Sequence, residues 1–183
     1  LTEEKRNSLY RQMGIHLAKI HQVTGEGFGF LSRICGGRKF EKWSDALIFE
    51  VEDISGRLEG LGGFTAEETQ TLRRQFYKSR DLLDEIKTPY LLHTDLWEGN
   101  VLLNEDTMEI AAIIDSDRAM YGDREFEFSS PWMDNTALRG GYASVIQKRT
   151  GPHDQRRRQL YQMFFFLLEA YVGYGEYNHP ELY

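Results

Sequence analysis

Apolar positions recur along this chain in two rhythms, and the change between them marks where its chemistry lies. Leu9, Met13, Leu17 and Ile20 return every three or four residues, which predicts a helix running to about Gln22. Thr2 suits its N-cap, and Glu3 and Glu4 suit the positive helix end. Leu47, Ile48, Val51 and Ile54 form the inward face of a second helix, Trp43 to Leu58, which Gly60–Gly63 ends. Thr65-Ala-Glu-Glu68 is a capping box. It opens a third helix to about Lys87 on Leu72, Phe76, Leu83 and Ile86, and Thr88-Pro89 stops it. There the rhythm changes. Tyr90–Leu92, Val101–Leu103 and Ile110–Ile114 are short apolar runs bounded by polar loops, the pattern of strands. A turn at Asn104–Thr107 folds the last two into a hairpin. Helical spacing returns over Leu138–Lys148, with Gly140 and Gly141 weakening it. It returns again over His153–Tyr174, where Leu160, Met163, Phe164, Leu167, Leu168 and Tyr171 make a broad core-facing stripe. Thr24–Lys39 is Gly-rich and irregular, with Phe28, Phe30 and Leu31 to pin it to the core. Pro131–Asn135 reads as a loop in which Trp132 and Met133 fill space or meet substrate. The expected fold class is α+β and mostly α-helical, one domain with a small β-hairpin.

The hairpin gathers chemistry. His93, Asp95 and Asn100 fall on the loop between strands, and Asp115 and Asp117 follow the hairpin's last strand. Folding that strand back beside Val101–Leu103 brings Asp115 close to Asn100. Phosphoryl transfer needs such an arrangement: a carboxylate to take the acceptor's proton, and oxygen ligands to hold Mg²⁺ on the phosphates. One Asp and one Asn suffice on the protein side, because Mg²⁺ keeps several of its waters. The segment His93-Thr-Asp95-Leu-Trp-Glu-Gly-Asn100 has the kinase catalytic-loop spacing H-x-D-x-x-x-x-N, and Asp115 stands where that pattern has its metal-binding Asp. Asp117, two residues on, is a further candidate metal ligand.

H-T-D-L-W-E-G-N followed by I-I-D-S-D-R-A-M-Y-G-D-R-E-F-E-F resembles the aminoglycoside phosphotransferase and choline kinase-like family. The L-W-x-G-N form is similar to its fructosamine-kinase-type members. Relative to the usual motifs, Thr94 replaces a Gly, Ser116 an aromatic residue, Arg124 a Pro and Glu127 an Asp. The resemblance implies a protein-kinase-like fold, with Asp95 as the base and Asn100 and Asp115 holding Mg²⁺ and ATP. It makes His93, Asp123 and Glu127 structural, and it likens G-I-H-L-A-K-I-H to the helix after the hinge between lobes. Residues 1–183 would then be the C-terminal lobe, the nucleotide-covering N-terminal lobe lying before Leu1. The implied function is transfer of the ATP γ-phosphoryl group to a hydroxyl of a small molecule: an aminoglycoside, amino sugar, fructosamine or amino alcohol. The alternative is a catalytically silent, pseudokinase-type nucleotide-binding module. D-S-D in place of D-F-G and the lack of A-P-E argue against a protein kinase. A metal-dependent hydrolase built on Asp95, Asp115 and Asp117 would act without ATP.

Bulk properties narrow the setting. A chain of 183 residues with 40% hydrophobic content can bury one substantial core. Its net charge of −7 disfavours a nucleic-acid partner and is compatible with a cationic substrate. Asp134 and Glu169 are acids that could meet an ammonium group, whereas Arg156–Arg158 reads as a solvated basic run. A lone Cys35 allows no internal disulfide and fits the cytoplasm. No apolar run is long enough to span a bilayer. No Walker-type loop is present, and Gly25-Glu-Gly27-Phe-Gly29 fails the G-x-G-x-x-G register at Phe30. His16 and His21 are five apart, on different helix faces, and read as packing rather than a metal pair.

Overall fold

A computed structural model describes residues 2–147 and 151–177 of the chain. α1 (Glu3–Ile20) is capped by Thr2, whose hydroxyl accepts from the Lys5 N–H. Part of the Gly-rich stretch expected to be irregular is ordered as β1 (Gly29–Phe30) and α2 (Leu31–Cys35). α3 (Trp43–Gly60) follows, and then α4 (Ala66–Lys78), which opens on the reciprocal Thr65–Glu68 capping box. The helix expected to reach Lys87 breaks at Ser79 and resumes as α5 (Arg80–Leu83). The break has a tertiary cause. It lets Arg80 pair with Asp45 on α3 at 2.6 Å, and lets the Asp84 carboxylate accept from the Ser44 N–H at 3.1 Å. α3 has no side-chain cap of its own, so Asp84 satisfies one of its orphan donors.

β2 (Tyr90–Leu92) leads into the loop that carries His93, Asp95 and Asn100, and β3 (Val101–Leu103) leaves it. β4 (Ile110–Ile113) pairs antiparallel with β3, setting Val101 against Ile113 and Leu102 against Ala112. The hairpin turn is an Asx turn: Asn104 Oδ1 accepts from the N–H groups of Asp106 and Thr107. Gln12 on α1 braces its far end, donating to the Met108 carbonyl and accepting from the Ile110 N–H. A second strand, besides β1, was not expected. β5 (Met120–Gly122) lies inside the acidic run and forms the centre of a three-stranded antiparallel sheet in the order β1-β5-β2. α6 (Arg124–Glu127), α7 (Thr136–Ala143) and α8 (Asp154–Val172) follow, with single 3-10 turns at Glu98–Asn100 and Pro131–Met133 and a π-helical turn at Gly173–Tyr177 after α8. Lys148, the last residue of the helix expected from Leu138, lies outside the described residues.

Two apolar clusters hold these elements together. The first joins α3, α8 and the three-stranded sheet. At its centre the Phe126 ring lies 4.8 Å from that of Phe165, 5.2 Å from Phe164, 5.3 Å from Tyr161 and 5.6 Å from Trp43. Fully burying aromatic side chains of this size contributes about 1.5–3 kcal/mol each. Their polar ends are satisfied in series: Trp43 Nε1–H donates to the Tyr161 hydroxyl at 2.9 Å, and that hydroxyl donates to Asp123 Oδ2 at 2.8 Å. Burial raises the pKa of both Tyr161 and Asp123. The basic run is not solvated throughout. Arg157 is buried between Glu85 and Asp154, and Arg158 pairs with Glu125 at 2.8 Å.

The second cluster packs α1 and α7 with the loop after β2, burying Leu9, Met13, Leu17, Leu96, Met133, Leu138 and Tyr142. Gly141 belongs to this contact. A Cβ there would stand 2.0 Å from the Arg11 carbonyl oxygen, and one on Gly14 would stand 2.0 Å from that of Leu138. The two helices touch backbone to backbone, so the glycine that weakened the helix pattern is what lets α7 dock.

Candidate active site

Leu92 is buried at the end of β2, and the chain then turns sharply: Thr94 has φ +62°. The turn is held from below by Glu127, whose side chain is 1% exposed. Its two oxygens accept from the His93 N–H at 2.7 Å and the Thr94 N–H at 2.8 Å. His21 at the end of α1 approaches Glu127 through Nε2 at 3.4 Å, and its Nδ1 lies 2.9 Å from the Tyr142 hydroxyl. Tyr142 as donor, His21 as relay and Glu127 as acceptor make a consistent buried chain from α7 to the loop. Replacing Glu127 with Gln sets an amide N–H against one of the two backbone donors. The expected loss is about 1–3 kcal/mol of stability, read as a lower urea midpoint. An unchanged midpoint would mean that the loop is held elsewhere.

The imidazole of His93 ties both ends of the site together. A backbone N–H only donates and a carbonyl only accepts. Nδ1, 3.3 Å from the Asp95 N–H, is therefore the bare nitrogen, and Nε2, 3.0 Å from the Ile114 carbonyl, carries the proton. Ile114 also donates its own N–H to the Asn100 carbonyl at 3.0 Å. The residue before Asp115 is thus clamped to the first and last positions of the loop that carries Asp95.

Asp95 sits partly buried at the centre. The Asn100 amide nitrogen donates to the Asp95 carbonyl at 2.8 Å and to its Oδ2 at 3.3 Å. Burial raises the Asp95 pKa. Arg118 and the Asn100 contact oppose that rise, and the charge of Asp115 adds to it. With its nitrogen committed to Asp95, the Asn100 amide has Oδ1 available to a cation. Asp115 follows β4 with φ +63° and is exposed. Asp117 is exposed two residues on, and no hydrogen bond or ion pair joins it to the other three. Among the described residues no group of three or more His, Cys, Asp or Glu side chains is placed to hold a metal alone. One amide and one carboxylate oxygen still fit Mg²⁺ on a nucleotide, because phosphates and water fill its remaining positions.

The structure adds residues that motif reading passed over. Arg118 Nη1 stands 3.8 Å from Asp95 Oδ1 and 3.9 Å from Glu169 Oε1 on α8. A lone basic residue between Asp117 and an apolar pair was the available signal. Glu169 is thereby drawn towards Asp95, while Asp134 stays exposed beside Arg139 at 3.8 Å. Trp97, two residues beyond Asp95, is half exposed. Asp123 caps α6, accepting from the Glu125 N–H at 3.1 Å. Met133 is core, and Trp132 packs against both clusters.

Residues 1–161 match the phosphotransferase enzyme family. The chain belongs to this family. The chain is 28% identical over 185 residues to a probable ketoamine kinase of Lactiplantibacillus plantarum, matching 92% of this chain and 62% of that protein. It is likewise 28% identical over 192 residues to a probable ketoamine kinase of Staphylococcus aureus, matching 95% of this chain and 63% of the relative. The chain therefore spans less than two thirds of the length of these relatives. Its fold is shared with a protein described as a fructosamine-3-kinase from Thermobifida fusca, at a TM-score of 0.66 and 21% identity over 94% of this chain and 62% of that one. It is also shared with a macrolide 2′-phosphotransferase of type I, at 0.59 and 16% over 97% and 58%. The kinase-like α+β fold expected from the catalytic-loop motif is the fold observed. No helix among the described residues is long and apolar enough to cross a membrane.

Proposed function

We propose that this chain carries the catalytic half of an ATP- and Mg²⁺-dependent kinase that phosphorylates a hydroxyl of a ketoamine, the adduct of a sugar with an amine. The grip of Asn100 on Asp95, beside the strand end that presents Asp115, carries the reading, and the names of the two sequence relatives point to the acceptor. Asp95 accepts the proton of the acceptor hydroxyl as that oxygen bonds to the γ-phosphorus, and the bond from phosphorus to the β-bridging oxygen breaks to release ADP. Asn100 Oδ1 and Asp115 would hold Mg²⁺, which neutralises charge on the phosphates when bound. Asp117 would serve as a further oxygen ligand or orient the ion's waters. The acid-rich surroundings of Asp95 suit an acceptor bearing an ammonium group. A cytoplasmic setting, where ATP is available, goes with this reading.

The test follows ADP release from Mg-ATP by the full-length protein across ketoamines, aminoglycosides, amino sugars and amino alcohols. Ketoamine-dependent turnover is expected. Turnover on another group instead would move the acceptor. Nucleotide binding with no turnover would favour the silent pseudokinase module, and no nucleotide binding would sink the kinase reading.

A further inference from the structure

We propose that Arg118 is a positioning residue for Asp95, held in place by Thr94 on one side and Glu169 on the other, so that α8 sets the orientation of the base. The inference rests on the reading of Asp95 as that base.

Three observations converge on Arg118. Its side chain is three-quarters buried, and Nη1 faces Asp95 Oδ1 at 3.8 Å while Asn100 contacts the other carboxylate oxygen. Asp95 thus has one partner on each oxygen: an amide on Oδ2 and a cation opposite Oδ1. The same Nη1 lies 3.9 Å from Glu169, so the guanidinium spans from the catalytic loop to α8. Finally, the backbone of Arg118 is gripped. Thr94 Oγ1 donates to the Arg118 carbonyl. Thr94 is a β-branched residue at φ +62°, a conformation that suits glycine and strains Thr. The hydroxyl, which a glycine at this φ would lack, is the group that holds Arg118. The strain and the grip come together.

The charges around Asp95 require such a partner. Asp115 follows the neighbouring strand, and Glu169 faces the loop from α8. His93 is committed to backbone groups on both nitrogens. Among the described residues, Arg118 is the arginine or lysine paired with Asp95. At 3.8 Å the pair is ionic rather than hydrogen-bonded, so Oδ1 keeps its lone pairs for the acceptor hydroxyl while its direction is set by charge.

The test uses the full-length protein with Arg118→Met, Arg118→Lys, Glu169→Gln and the Arg118→Met/Glu169→Gln pair. Arg118→Met is expected to lower kcat by roughly 10- to 100-fold, the scale of a misplaced reacting group. The KM for Mg-ATP should stay within about twofold, because no ground-state nucleotide contact is removed. Arg118→Lys should recover part of the loss. Glu169→Gln should lower kcat less, and the pair should match Arg118→Met alone, because Glu169 acts through Arg118. Multiplying effects, or a Glu169→Gln variant that changes only the acceptor KM, would overturn the tether. A crystal structure of Arg118→Met reads the same point without turnover. Asp95 should leave Asn100 for another rotamer, and an unmoved Asp95 would overturn the proposal. Should the wild type phosphorylate no acceptor while Asp95 still swings in the variant, the kinase reading falls and the positioning role stands.

Discussion

Asp95→Asn in the full-length protein is expected to lose about 10²–10⁴-fold in kcat, the range for removing a general base. The substitution is nearly isosteric, and the side-chain carbonyl oxygen it leaves can still accept from the Asn100 amide, so the loop should keep its shape. What disappears is the group able to take a proton. The proposed ligands of Mg²⁺, Asn100 and Asp115, are untouched, so Mg-ADP should bind with near wild-type affinity by calorimetry. This combination separates loss of chemistry from loss of the site. A variant within about tenfold of wild type would remove Asp95 from proton transfer.

The largest effect on stability is expected far from the base, at Gly141→Ala. The added Cβ would lie 2.0 Å from the Arg11 carbonyl oxygen and 2.8 Å from its carbon, both rigid backbone atoms. Comfortable contact between carbon atoms begins at about 3.5 Å, so α1 and α7 must part across the cluster that buries Leu96. Overpacking typically costs about 1–3 kcal/mol, and a backbone clash this close should reach about 3 kcal/mol or more. For a chain of this size that is a fall in Tm of roughly 6–12 °C. Gly140→Ala is the control. Nothing lies within 4 Å of its added Cβ, and replacing an exposed helical glycine should stabilise by up to about 1 kcal/mol. Equal effects at the two positions would mean that the close helix contact is not what selects glycine.

Much of this was legible locally. α1, α3 and the Thr65–Glu68 box announce themselves because their signals lie within one or two helical turns. The candidate site was legible as a cluster because His93, Asp95 and Asn100 are almost contiguous and a short hairpin returns Asp115 towards them. The rest depends on distant neighbours. Met120–Gly122 is too short to show alternation and is a strand only because Gly29–Phe30 and Tyr90–Leu92 flank it. Ser79 breaks a helix for the sake of contacts to α3. Arg157 looks solvated beside two other arginines until Glu85 and Asp154 close over it. Arg118 gains its meaning from Thr94 and Glu169, which sit on a different loop and helix.

The central place of β5 also fixes an order of events when the chain is made. Helices α3 and α4 meet through contacts between sequence neighbours and can pair as soon as they leave the ribosome. β1 and β2 cannot join each other, because the strand between them is synthesised last. Until residue 122 emerges, Leu92 has no β5 residue to lock its register, and Glu127, which grips the next two backbone N–H groups, does not yet exist. The loop that carries Asp95 therefore takes its final shape late, after α3 and α4 have had the chance to pair and as the segments that complete the core emerge.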